Sequence, residues 1–285
     1  MRHSITACGC LMLTLLAACA LNQPGRGGQE QARLELQASD IPVDLAGAMV
    51  TGAAASPEGS VFLLDGQHWR IRAHSRDGDF LFELDAPSPQ CLIAGGRAQG
   101  FCLADDLNRQ MACYDQRGKQ LWAARYDQHS ITAFATAPSG EFYILDGQSG
   151  SVAVRNQAFV LVRRWNLSTA GSQLRPEAIA VDQMAGTVVV ADPAGKRLAG
   201  YSLLGIDLGR TDIPVIRGPQ SIAFDRQGNL WVCADDGTVR ALRITGRRWH
   251  EVGSARTGNL RGVIPGAGDA MLAYTDTSLV SLSIK

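Results

Sequence analysis

The sequence predicts an all-β chain folded as a six-bladed β-propeller. Three observations carry this. An aspartate closes a short apolar run six times, at Asp65, Asp105, Asp146, Asp192, Asp235 and Asp276, with spacings of 40, 41, 46, 43 and 41 residues. Each spacing has room for four short strands and their turns, which is one propeller blade. Charged residues are only 19 % of the chain while glycines number 31, a balance that suits turn-rich β structure better than helix or disorder.

The first element is an address. Arg2 supplies a short positive start, and residues 5–16 form an apolar stretch ending in small residues. That stretch is too short for a comfortable permanent span and reads as an export signal over residues 1–18. Leu16-Ala17-Ala18-Cys19 resembles the bacterial lipobox. The resemblance implies cleavage before Cys19, acylation of that residue, and a lipid anchor in the bacterial cell envelope. Ala20 in the next position favours the outer membrane, facing the periplasm. Cys19 and the Gly- and Gln-rich residues up to 33 read as a flexible tether. Ala20–Arg33 would span about 46 Å if fully extended, so the folded body could hang clear of the bilayer.

The propeller is expected over residues 34–285. Its fifth unit is the clearest: strand a at 221–224, the turn Asp225-Arg226-Gln227-Gly228, then strand b at 230–234, strand c at 239–244 and strand d at 249–252. The b strands are continuous apolar runs, as expected where neighbouring blades pack on both faces. The last unit runs out of chain after three strands: one near Val263, then 271–274 and 279–284. Leu34-Glu35-Leu36-Gln37 alternates apolar and polar and has no blade of its own. It is expected to close the ring as the missing fourth strand, which removes two exposed sheet edges.

Arg175-Pro176-Glu177-Ala178-Ile179-Ala180-Val181-Asp182, followed by 186–192 and 197–202 with Gly205, resembles the NHL repeat, and the fifth unit matches too. The resemblance covers about residues 50–285. It implies a six-bladed propeller and is specific for the fold rather than for an activity.

Candidate chemistry is sparse. The six aspartates fall at the b-to-c turns, where an Asp side chain commonly binds its own backbone. Fifteen residues before each aspartate, strand a begins beside the axis; the polar residues there are Gln90, Glu177, Gln220 and Arg261. These four are the candidate ligand or partner contacts at the channel mouth, with Glu177 and Arg261 able to pair across it. A lone carboxylate among them makes no divalent-metal site. His68, His74, His129 and His250 have no metal-ligand spacing, so no metal, cofactor or catalytic residue is assigned.

Four cysteines besides Cys19 lie in the mature chain. Aligning the second unit with the fifth puts Cys91 opposite Cys102, a candidate disulfide in an exported protein. Cys113 competes for Cys102, and the alternative is that all three are small buried hydrophobes. Removing residues 1–18 takes away Arg2 and leaves 26 basic against 27 acidic groups, so no charge excess points to nucleic acid. P-loop, GxGxxG, GxSxG and HExxH motifs are absent from the sequence. The expectation is a lipid-anchored binding or scaffold module with an envelope protein, peptide or polysaccharide partner. The alternative is a propeller hydrolase or lyase working at the channel mouth.

Overall fold

A computed structural model describes residues 36–43, 47–96, 100–128, 130–167, 174–245 and 247–284. The signal segment, Cys19, the tether, Leu34, Glu35 and His129 lie outside the described residues. Every regular element among those described is a strand. The chain opens with β1 (Leu36–Ile41). Blade 1 then holds β2 (Val50–Ala55), β3 (Val61–Asp65), β4 (Arg70–His74) and β5 (Phe80–Asp85). Blade 2 holds β6 (Cys91–Gly95), β7 (Phe101–Asp105), β8 (Gln110–Tyr114) and β9 (Gln120–Arg125). Blade 3 holds β10 (Ile131–Thr136), β11 (Phe142–Asp146), β12 (Ser151–Arg155) and β13 (Leu161–Asn166). Blade 4 holds β14 (Ala178–Asp182), β15 (Thr187–Asp192), β16 (Arg197–Ser202) and β17 (Asp207–Asp212). Blade 5 holds β18 (Ile222–Phe224), β19 (Asn229–Cys233), β20 (Thr238–Thr245) and β21 (Arg248–Arg256). Blade 6 holds β22 (Gly262–Pro265), β23 (Met271–Tyr274) and β24 (Leu279–Ile284), and its fourth strand is β1.

The all-β, six-bladed propeller closed by an N-terminal strand is therefore the observed fold. β1 runs antiparallel to β24 along its whole length, from Leu36 opposite Ile284 to Ile41 opposite Leu279. The closing strand extends four residues beyond the Leu34–Gln37 segment the alternation picked out, because β24 offers a partner for every residue as far as Ile41. In blade 5 the b strand stops one residue early, at Cys233, since Ala234 leaves the ladder to bridge Val215.

The core is divided into six parts, one between each pair of neighbouring blades. Between blades 1 and 2, Phe62 meets Phe101 with ring centroids 4.6 Å apart. Between blades 2 and 3, Trp122 stands edge-on to Phe142 at 5.5 Å. Strands β3, β7, β11, β15 and β19 are buried at every residue, which explains their unbroken apolar runs. Each fully buried Leu, Val or Phe contributes about 1.5–3 kcal/mol.

Blades 1 to 5 share a bulge where the outermost strand pairs with its neighbour, for example between Ala73 and His74 and between Cys113 and Tyr114. A bulge adds local twist and turns an extra side chain outward. It leaves Leu81, Leu121 and Val162 without a strand partner, all three on the solvent side. Blade 6 pairs straight, because its outer two strands come from opposite ends of the chain.

Candidate functional site

In blades 1 to 5 the a-to-b and c-to-d turns lie at one end, and the b-to-c turns and blade-to-blade connections at the other; blade 6 follows the same order, except that its fourth strand is β1 and no c-to-d turn joins it to β24. The second end carries the six aspartates. Four are buried and bind their own turns. Asp65 Oδ1 accepts from the amides of Met49 (3.2 Å), Gln67 (2.9 Å) and His68 (3.3 Å), while Oδ2 lies 2.7 Å from His68 Nδ1. Burial pushes the Asp65 carboxyl up, but these hydrogen bonds outweigh it and hold it below the usual carboxylate range. Asp105 accepts from Ser88 Oγ (2.7 Å) and Asn108, Asp146 from the amides of Gln148 and Ser149, and Asp192 from Gly195 and Arg197. In blades 5 and 6 the turn-binding oxygen moves one residue, to Asp236 and Thr275. Asp235 is exposed, and Asp276 pairs with Arg261 at 2.6 and 3.0 Å. The turn-residue reading of this aspartate column holds for four of the six.

Of the four residues expected at the channel mouth, only Gln220 reaches the central cavity. It is the start of blade 5, yet its side chain crosses the axis. Its Oε1 accepts from the Ala53 amide (2.7 Å) and from Tyr274 Oη (2.6 Å). Its Nε2 donates to the carbonyls of Ala53 and Ile93. All four hydrogen-bonding positions of the amide are used, so blades 1, 2, 5 and 6 are tied across the axis by one side chain. Gly262 makes room for this: a Cβ there would lie 2.6 Å from Tyr274 Oη. Gln90 is exposed. The expected Glu177–Arg261 pair does not form, because each has a nearer partner: Glu177 stands 4.0 Å from Arg217, and Arg261 is held by Asp276.

Above this plug a cavity of about 540 Å³ opens at the other end, among the a-to-b turns. All six blades line it, through residues 54–57, 94–96, 134–138, 179–184, 222–226 and 263–266. Its walls are Ala54, Ala94, Phe134, Ile179, Phe224, Ile264 and similar groups. The carboxylates at its rim are occupied. Asp182 accepts from the amides of Met184 and Ala185, and Asp225 from the amides of Gln227 and Asn229, from Asn229 Nδ2 and from Trp231 Nε1. No group of three or more His, Cys, Asp or Glu able to share a metal occurs among the described residues. This arrangement can hold an apolar group by exclusion from water. Sequence reasoning missed it by looking at the start of strand a; the available signal was the column of alanines and glycines through strand a of successive units, which leaves the shaft wide.

The disulfide differs from the expected pair. Cys102 bonds Cys113, and Cys91 is free and buried. The register explains it: Cys102 lies directly opposite Cys113 on the b–c ladder, whereas Cys91 lies opposite Asp105 and Cys102 opposite Ala94 on the a–b ladder. The fifth unit is not a guide to this register, because the hairpins joining strands a and b differ in the two units.

Neither family models nor curated protein sequences give a match to this chain. Solved structures do match in fold. A streptogramin B lyase superposes with a TM-score of 0.65 at 12 % identity, covering 90 % of this chain and 100 % of its own. A gluconolactonase from Xanthomonas campestris gives 0.64 at 16 %, covering 90 % and 91 %. The WD40 repeats of RRP9 give 0.62 at 13 %, covering 88 % and 100 %. Such distant likeness shows the propeller, and a fold shared by such different proteins does not choose a function.

Proposed function

We propose that this chain is an NHL-like, lipid-anchored binding module of the bacterial cell envelope, held by acyl groups on Cys19 at the outer membrane and facing the periplasm. Its partner is an envelope protein or peptide that places an apolar side chain or turn in the central cavity. The observation that carries this reading is the cavity itself: about 540 Å³, apolar in its walls, floored by a fully hydrogen-bonded Gln220 and rimmed by carboxylates already occupied by turn amides. Such a socket offers mainly burial and few free hydrogen-bonding groups, the Arg226 guanidinium among them. A polysaccharide needs many such groups and fits it poorly. The rival hydrolase or lyase needs convergent acid, base or metal-ligating groups, and those lining the cavity are committed to turns.

Fluorescent peptides with a single Phe, Trp or Leu in a polar background test this by polarisation. Binding is expected, with at least a tenfold loss in Ala55→Phe, which fills the mouth, and in Pro265→Arg, which charges its rim. Melting curves identify any misfolded variant. Binding indifferent to both substitutions, or turnover of a lactone by the purified chain, would overturn the reading.

A further inference from the structure

The turns at the cavity end are built alike and finished differently. In blades 1 to 4 each c-to-d turn begins with a side-chain oxygen that accepts the amides two and four residues on. Ser75 holds Asp77 and Asp79, Asp115 holds Arg117 and Lys119, Asn156 holds Ala158 and Val160, and Ser202 holds Leu204 and Ile206. The cap satisfies the backbone, so the side chains at those two positions are free to be polar. Blades 1 and 2 put charges there. Blades 3 and 4 expose Val160, Leu204 (69 %) and Ile206 (62 %). The a-to-b turn of blade 4 does the same: Met184 is 94 % exposed two residues after its cap, where blade 5 has Gln227. Unlike the bulged Leu81, Leu121 and Val162, these apolar tips have no local structural cause.

The tips stand on one connected ridge. Gln157 Nε2 donates to the Ser139 carbonyl (2.6 Å), the Ser139 amide to Gln183 Oε1 (2.7 Å), and the Leu203 amide to the Gly186 carbonyl (3.1 Å). Cationic groups flank it in blade 5. Arg247 packs beside Gly209, just past Ile206. Arg226, Arg247 and Arg248 are exposed, with no ion-pair partner among the described residues. The nearby carboxylates are engaged, Asp207 with Arg210 (3.6 Å) and Asp182 with turn amides. The chain also arrives at this end, because Leu36 opens β1 opposite Ile284, the last paired residue of β24. The sixteen residues between Cys19 and Leu36 would reach roughly 55 Å if extended, enough to let this whole face meet a bilayer.

We propose that the blade 3–blade 4 rim of this face rests on a bilayer containing anionic phospholipid. Val160, Met184, Leu204 and Ile206 enter the boundary between headgroups and acyl chains, and Arg226, Arg247 and Arg248 bind phosphates. The choice of a bilayer rather than a protein surface rests on the lipid anchor proposed above.

Vesicle sedimentation with the mature chain carrying Cys19→Ser separates the two claims, because no acyl group contributes. Binding to vesicles of phosphatidylglycerol and phosphatidylcholine is expected. It should weaken at least tenfold in Leu204→Asp/Ile206→Asp and several-fold in Met184→Asp. Arg247→Glu/Arg248→Glu should lower it to the level seen with phosphatidylcholine alone. Circular dichroism melts show which variants are folded. Absence of sedimentation with anionic vesicles, or binding that the folded variants leave unchanged, overturns the proposal and returns the ridge to a protein partner. The mass of the mature native protein tests acylation of Cys19 separately: an unmodified Cys19 sinks the anchor and leaves the vesicle result standing.

Discussion

The two ends of the propeller are made from the same repeat and behave oppositely. At one end the b-to-c turns fold buried carboxylates over their own amides, and Gln220 closes the axis with four hydrogen bonds. At the other end an apolar shaft opens to solvent, ringed by turns whose tips are charged in two blades and apolar in two others. The difference lies in how deeply the capping oxygens are buried. A buried aspartate that caps a turn must stay, and it draws its surroundings into a fixed polar network. At the open end the c-to-d caps Ser75, Asp115, Asn156 and Ser202 are only half-buried and leave the adjacent side chains unconstrained, with Asp225 in the blade 5 a-to-b turn as a buried exception. The sealed end is therefore a structural device, and the open end is where sequence can change at little structural cost.

The largest test of this contrast removes the strand that carries the chain from the open end to the sealed one. Deleting residues 36–41 strips the outer partner from β24 along its whole length and leaves it an exposed edge, and the domain should lose on the order of 5 kcal/mol or fail to fold, read by chemical denaturation. Unchanged stability would mean that the ring is not closed by β1. Next is Gln220→Ala, which leaves the Ala53 amide, two carbonyls and the Tyr274 hydroxyl without partners at the centre. A loss of about 3 kcal/mol is expected, and the shaft should then run through from one face to the other. A near-neutral result would make the plug incidental.

Asp65→Asn should cost about 1.5 kcal/mol at neutral pH, since it weakens the charge-assisted bonds of one sealed turn. The native carboxyl titrates below its ordinary value of 3.8, so its stabilisation is present above that pH and fades as pH falls through the lowered value. The gap between the parent and the variant should narrow on acidification below about pH 4; a constant gap would show that charge plays no part. The smallest effect has the opposite sign. Trp69 holds a φ of 56° in the b-to-c turn where blade 3 has Gly150, and it is half-exposed. Trp69→Gly should gain about 0.5–1 kcal/mol, measurable as a raised melting temperature; a lowered one would show that the indole's contacts outweigh the relieved backbone.

Much of the architecture was legible in the residues. Four of the six aspartates are the last residues of buried b strands and the other two lie two residues beyond, and the strands of the last unit over 271–274 and 279–284 fall where the alternation placed them. The missing strand of that unit pointed to an N-terminal closure. These features depend on period-two patterning, turn chemistry and the need to pair an edge, all of which act over a few residues.

The site was legible only in fragments. Cys102 was singled out correctly, yet its partner depended on register: one ladder sets it opposite Ala94 and another opposite Cys113. Gln220 was singled out as polar at the axis, but not as a plug, because its partner Ala53 is 167 residues away in the chain. Which end of the shaft stays open followed from that one crossing. The ridge of Val160, Met184, Leu204 and Ile206 became a patch only when blades 3 and 4 were set side by side. The sequence by itself determined the repeat, the strands and the closure, since those are local choices made six times over. Tertiary structure alone decided what meets across the axis and along the rim, since those contacts join different blades and no local pattern encodes them.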